Sequence, residues 1–275
     1  MTIKEALENA SKKLTQSVIN PKKEAFLLLA FFLKKDTIFL YANDGLQLDN
    51  DKEFFELVDK RANHTPLEYI TNKVSFFSHE FKIEKGVLIP RPETEILVEK
   101  VAEIIKQTKA KNITEIGTGS GIISIMLAIL CEDIKIVATD INKKAISLAR
   151  ENAKLHKVED KIEFVHTSLI DNIEIPEILV SNPPYISQSE FLEKHVLNEP
   201  HDALFGGEKG DELLKEICKI YKNNEKILYL ACEMGYDQKK SMEDFFKKEQ
   251  IGDFSFYKDL SGFDRGFVIT RRKFE

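Results

Sequence analysis

The chain has 275 residues, 43% of them hydrophobic, enough to bury one large domain or two modest ones. Its formal net charge of -6 argues against a protein that lives on a nucleic-acid backbone, although a local basic patch stays open. Cys131, Cys218 and Cys232 show no CxxC spacing and are expected as reduced core residues of a cytoplasmic protein. Residues 1–5 carry no apolar signal core, and the longest apolar run, 25–33, is too short to span a bilayer and is flanked by lysines. No membrane association and no metal are expected.

Residues 1–72 read as a small helical bundle. Ile3, Ala6, Leu7, Ala10 and Leu14 recur at helical spacing. Asn20-Pro21 is a cap and first-turn signal for a second helix through Leu33. Residues 51–61 and 66–70 predict two more. Nothing in the bundle resembles a catalytic constellation, and His64 reads as a surface or capping residue. The bundle suits holding a macromolecular substrate about as well as it suits a plain packing extension.

Residues 73–89 change character. Ser75-Phe76-Phe77 and Phe81-Lys82-Ile83, around Ser78-His79-Glu80, predict a β-hairpin linking two domains. Pro90-Arg91-Pro92 is a stiff lead-in to a helix that begins near Pro92 and runs to about Lys109. From residue 112 strands and helices alternate, which implies a mostly parallel sheet covered on both faces, the α/β class. Strands are expected at 113–116, 134–139, 161–166, 178–180 and 226–232. Helices are expected at 122–130, 143–156, 211–221 and 238–248. Residues 254–257 and 266–271 predict an antiparallel hairpin at the sheet's edge.

Two stretches carry chemistry. Ser181-Asn182-Pro183-Pro184-Tyr185 follows the apolar run Ile178-Leu179-Val180. Two prolines end the strand at once and force Asn182 into extended geometry at its carboxyl end, where ligands of open α/β sheets bind. The Asn182 side-chain oxygen and the Pro183 carbonyl can accept both hydrogens of one planar amine or amide, and Tyr185 offers a ring to stack on it. Such a nitrogen is a poor nucleophile, and holding its lone pair toward an electrophile supplies much of the catalysis. The competing reading of this stretch is an ordinary Pro-Pro turn.

The second stretch is Glu115-Ile116-Gly117-Thr118-Gly119-Ser120-Gly121, between a strand and a helix. Its GxGxG spacing departs from the GxGxxG of dinucleotide sites, and no Gly-Lys-Ser/Thr makes it a P-loop. The acidic Glu115 suits a ligand with a cationic amino acid end. Asp140 closes the next strand, where a carboxylate binds ribose hydroxyls, or else caps the following helix. Together these favour S-adenosylmethionine.

With both stretches in view, the chain resembles the class I S-adenosylmethionine methyltransferases, and more closely the glutamine methyltransferases of peptide chain release factors, the HemK/PrmC family. The likeness covers nearly the whole chain. It is carried by Pro90-Arg91-Pro92-Glu93-Thr94-Glu95, Gly117-Thr118-Gly119-Ser120-Gly121, Asp140, Asn182-Pro183-Pro184-Tyr185, and Glu199-Pro200 followed by Ala203-Leu204-Phe205-Gly206-Gly207.

The resemblance implies three segments: a helical domain, 1–72, that grips the release factor, a hairpin linker, 73–89, and a Rossmann-like seven-stranded methyltransferase domain, 90–275. It implies methyl transfer from S-adenosylmethionine, leaving S-adenosylhomocysteine, to the side-chain amide nitrogen of the glutamine in the Gly-Gly-Gln loop of class 1 release factors. Glu115 and residues Gly117, Thr118, Gly119, Ser120 and Gly121 would then hold the methionine end, and Asp140 the ribose. Asn182 and Pro183 would hold the amide, Pro184 and Tyr185 would pack near the glutamine, and Leu88 and Ile89 would line its pocket.

Near the adenine the family often carries an acidic residue followed by a bulky one; here Ser168 and Leu169 are the best matches and the acid is missing. His166 invites a general-base reading, but strand-end packing is preferred, because the amide proton need not leave before transfer. A monomer with no direct nucleic-acid partner is expected. The competing functions are a DNA or RNA adenine amino-methyltransferase, which should carry a basic surface and a way to flip a base, and a non-catalytic S-adenosylmethionine-binding module.

Overall fold

The computed structural model describes residues 1–271, so residues 272–275 of the expected methyltransferase domain lie outside the described residues. The described residues form two compact units, residues 1–73 with 192–198, and residues 74–191 with 199–271.

The first unit is built from α1 (Ile3–Leu14), α2 (Pro21–Leu33), α3 (Thr37–Ala42), α4 (Asp51–Ala62) and α5 (Leu67–Thr71). Thr2 and Glu5 close a reciprocal capping box on α1, and Asn20 accepts from the Lys23 N–H at the Pro21 start of α2. Leu7, Leu14, Leu28, Leu29, Phe54 and Val58 are buried in one core. The short helix α3, absent from the periodicity reading, exists because Asp36 caps it by accepting from the Phe39 N–H at 2.7 Å.

The second unit opens with the hairpin β1 (Lys73–Phe76) and β2 (His79–Lys82), whose Phe76 and Phe81 sit in that unit's core. The sequence predicts a three-residue loop; the structure has a two-residue turn in which Phe77 and Ser78 both take positive φ, 49° and 58°. That is the handedness a two-residue hairpin turn needs. Here the turn is held by Glu95, whose Oε1 accepts from the Phe77 N–H at 2.7 Å.

Then come α6 (Thr94–Thr108), β3 (Asn112–Ile116), α7 (Ile122–Leu130), β4 (Lys135–Asp140), α8 (Lys143–Leu155), β5 (Ile162–His166) and β6 (Ile178–Ser181). A small parallel pair, β7 (Ile186–Ser187) and β8 (Phe205–Gly207), encloses the one-turn helix α9 (His201–Leu204). The chain continues with α10 (Glu212–Asn223), β9 (Tyr229–Glu233), α11 (Lys239–Glu249), β10 (Asp253–Lys258) and β11 (Asp264–Thr270). The main sheet has seven strands in the order β10-β11-β9-β6-β3-β4-β5, and β10 and β11 form the expected antiparallel edge hairpin.

Alternation along the strands builds a three-layer sandwich. Ile113, Val180 and Ala231 face one core with α6, α7 and α8. Leu179, Leu230 and Phe267 face the other with α10 and α11. The three cysteines are buried and free, as expected. The chain runs outward from β3 through β4 to β5 and then returns to place β6 on the other side of β3. The carboxyl ends of β3 and β6 are therefore the topological switch point, where such sheets leave a crevice.

Candidate active site

The Gly-rich turn leaves β3 and Asn182 leaves β6 side by side, because Ile116 and Ser181 are register partners. The Ser181 hydroxyl donates to the Ile116 carbonyl at 2.8 Å and ties the two exits together. In front of them lies a cleft of about 600 Å³, within the size range of small-molecule sites.

Gly117, Gly119, Asp140, Ser168, Leu169 and Asn182 line this cleft, as do Leu88 and Pro184. Gly117 and Gly119 have φ of 73° and 56°, and a side chain added at either would project into open space. These two positions form a cradle that a Cβ would fill. The turn is braced from behind: the N–H groups of Gly117 and Thr118 both donate to the Thr139 carbonyl at 2.9 Å. The Gly119 N–H donates to Asp140 Oδ2 at 2.9 Å, which binds the turn to the end of β4. Asp140 does not cap α8, since Asn142 does, accepting from the Lys144 N–H. Burial raises the Asp140 carboxyl above its ordinary value, against the hydrogen bonds from Asn142 and Gly119.

Glu115, Thr118, Ser120 and Gly121 do not line the cleft. Glu115 is fully buried beneath the turn. Its Oε2 accepts from Thr118 Oγ1 at 2.8 Å, from the Ser124 N–H and from Ser124 Oγ. Burial pushes its carboxyl up to about 7. Its Oε1 and the Ser120 hydroxyl have no hydrogen-bond partner among the described residues. An open glycine cradle at the end of one strand, with a carboxylate at the neighbouring strand end, fits a ligand that brings an amino acid end and a diol.

Pro183 and Tyr185 also stay out of the cleft lining. No hydrogen bond to the Pro183 carbonyl is formed by the described residues. Tyr185 donates its hydroxyl to Glu233 Oε1 at 3.1 Å and packs against the α10–α11 core. His166 lies at the end of β5, where its Nε2 pairs with the Ile141 carbonyl at 2.9 Å, outside the cleft.

Three residues that sequence reasoning gave no role hold the site together. Glu199 is buried and receives the Ile89 N–H at 2.9 Å and the Arg91 guanidinium, pinning the stretch that carries Leu88. Thr94, the first residue of α6, accepts from Asn182 Nδ2 at 3.1 Å and donates to Glu233 Oε2 at 2.8 Å. Thr94 and Glu199 lie within motifs that carry the family likeness, so a signal existed for them. Glu233 had none.

Residues 5–71 match the family model described as PrmC N-terminal domain, and residues 80–207 the one described as Methyltransferase small domain. The release factor glutamine methyltransferase of Dictyoglomus turgidum is 42% identical over 87% of this chain and 89% of its own. That of Buchnera aphidicola is 37% identical over 96% and 98%. Among solved structures, the N-terminal domain of human METTL16 in complex with SAH superposes with a TM-score of 0.55 at 15% identity, covering 84% of this chain and 87% of that one, which shows a shared fold. The chain belongs to the release factor glutamine methyltransferase family.

Proposed function

We propose that this protein methylates the side-chain amide nitrogen of the glutamine in the Gly-Gly-Gln loop of peptide chain release factors, with S-adenosylmethionine as donor. The observation that carries the reading is the cleft at the switch point, where a glycine cradle, a ribose-height carboxylate and the Asn182 amide converge. The donor supplies an electrophilic methyl group on a sulfonium. The open backbone at Gly117 and Gly119 suits its amino acid end, and Asp140 its ribose hydroxyls, while Glu115 braces the turn from beneath. Ser168 and Leu169 suit the adenine side.

Asn182 Oδ1 and the Pro183 carbonyl accept the two hydrogens of the glutamine amide and leave its lone pair facing the methyl carbon. Orientation of this kind lowers the barrier by removing the freedom the nitrogen has in water. Leu88 and Pro184 flank the amide, and Tyr185, anchored on Glu233, supports the turn from behind. When bound, the donor would supply the methyl carbon to the nitrogen, and its sulfur would keep the electron pair of the broken carbon–sulfur bond. The extra amide proton then passes to water, so no side-chain base is needed, consistent with His166 lying outside the cleft.

The first unit grips the release factor, a reading supported by the match of residues 5–71 to the family's N-terminal model. The substrate is protein rather than nucleic acid, in keeping with the net charge of -6. No helix among the described residues is long and apolar enough to cross a membrane, and the reaction belongs in the cytoplasm with its substrate. Mass spectrometry of an intact release factor and a duplex DNA after incubation with enzyme and donor tests this. A methyl group on the Gly-Gly-Gln glutamine is expected; methyl on adenine alone would overturn it.

A further inference from the structure

An asparagine amide is useful to this reaction in only one orientation. With Oδ1 toward the substrate it accepts a hydrogen. With Nδ2 there, two NH₂ groups face each other and nothing aims the lone pair. The fold has to choose between them.

Asn182, Thr94 and Glu233 come from three elements that end at one level. Ser181 pairs with Cys232, so Asn182 and Glu233 follow at the carboxyl ends of β6 and β9. Thr94 is the first residue of α6 and is buried. Glu233 is 1% exposed. An ionised carboxylate only accepts, and a hydroxyl has one hydrogen to give. Glu233 Oε2 takes the Thr94 hydrogen and Oε1 takes that of Tyr185. Thr94 Oγ1 then has only lone pairs for its other neighbour, so Asn182 must turn Nδ2 toward it. Asn182 Oδ1 has no partner among the described residues and is left for the cleft that Asn182 lines.

We propose that Thr94 and Glu233 are positioning residues, a one-way hydrogen-bond chain that locks the Asn182 amide with its oxygen toward the substrate nitrogen. This rests on the reading of Asn182 as an acceptor given above. The direction of the chain depends on the charge of Glu233. A protonated carboxyl donates to Thr94, Thr94 donates to Asn182 Oδ1, and Nδ2 swings into the cleft. Burial pushes this carboxyl up to about 7. It is faced by Tyr185, by Glu93 ahead of α6, by Tyr257 on β10 and by Arg265 on β11, whose guanidinium is also paired with Asp259.

The test is single-turnover methyl transfer by the full-length protein to an intact release factor, with donor affinity measured by calorimetry. Thr94→Val keeps the shape and removes the relay. Its rate should fall about tenfold, equivalent to about 1.4 kcal/mol, with donor affinity unchanged, and Thr94→Ser should restore it. The wild-type rate should rise with pH through neutrality, and this limb should be absent in Glu233→Gln, whose amide cannot titrate; this arm stands even if Thr94→Val fails to fold. A normal rate in Thr94→Val or a pH limb retained in Glu233→Gln would each overturn the relay while leaving the proposed reaction intact. A wild-type enzyme that leaves glutamine unmethylated overturns the reaction and the relay together.

Discussion

Gly206→Ala probes how the Asn182 turn is held from outside the main sheet. Gly206 is the middle residue of β8, which runs beside β7 just after Tyr185. A Cβ built there would lie 2.3 Å from the Pro184 carbonyl oxygen and 2.4 Å from that of Gly210. Both are backbone atoms, so no flexible side chain can give way. Real Cβ contacts essentially never fall below 3.0 Å, so Pro184 or β8 must shift by at least about 0.7 Å. Pro184 is two residues from Asn182 and lines the cleft itself. A displacement of ~1 Å in a positioning group costs about a hundredfold in rate, and forced overpacking costs roughly 1–3 kcal/mol of stability. We expect the rate of methyl transfer by Gly206→Ala to fall between about tenfold and a hundredfold. Thermal unfolding should come earlier. Donor affinity should hold within about threefold, because the glycine cradle and Asp140 hang on β3 and β4. Steady-state kinetics, thermal denaturation and calorimetry read the three quantities. A folded Gly206→Ala enzyme with wild-type rate would show that the β7–β8 pair does not position the turn.

Asn182→Ala should abolish transfer while leaving donor binding nearly intact in calorimetry; equal loss of both would remove its assigned role. Asp140→Ala should weaken donor affinity about tenfold to a hundredfold, the size of a lost charge-assisted hydrogen bond of about 1.5–3 kcal/mol, and an unchanged affinity would leave it as a brace for the turn alone. Glu115 and Glu233 are both raised from 4.5 to about 7 by burial. The folded state therefore binds more protons than the unfolded chain between those values. Their contribution to stability is full below pH 4.5 and is lost as pH rises toward 7, by about 3 kcal/mol for each group at most. Urea unfolding at pH 5 and pH 8 should show a smaller loss in Glu115→Gln than in wild type; equal loss would mean that Glu115 titrates normally.

The seven-stranded sheet and its chemistry-bearing turns were legible because their causes are local. Three glycines two apart, two prolines after an apolar run, and an acid at the next strand end each dictate backbone within a few residues. The hairpin turn at Phe77 and Ser78 was misread because neither residue favours positive φ on its own. Glu95, 18 residues away, stabilises it. Glu115 was read as facing the ligand; the fold buries it beneath the turn, because the hydroxyl of Ser124, nine residues on, also reaches it. The Asn182–Thr94 and Thr94–Glu233 bonds span 88 and 139 residues. Nothing in the spacing of such residues announces that three element ends will meet.

The segment 192–198 groups with the first unit, although the chain on both sides of it belongs to the second. Asn198 within it donates to the His64 carbonyl at 3.1 Å. The two units are therefore not beads joined by one thread: the polypeptide passes between them after residue 73, after 191 and after 198. A chimera made by a single crossover near residue 73 would give the helical unit of one relative a strap from another. Recombination between relatives, natural or engineered, should preserve folding best when residues 192–198 travel with the helices rather than with the sheet that surrounds them in sequence.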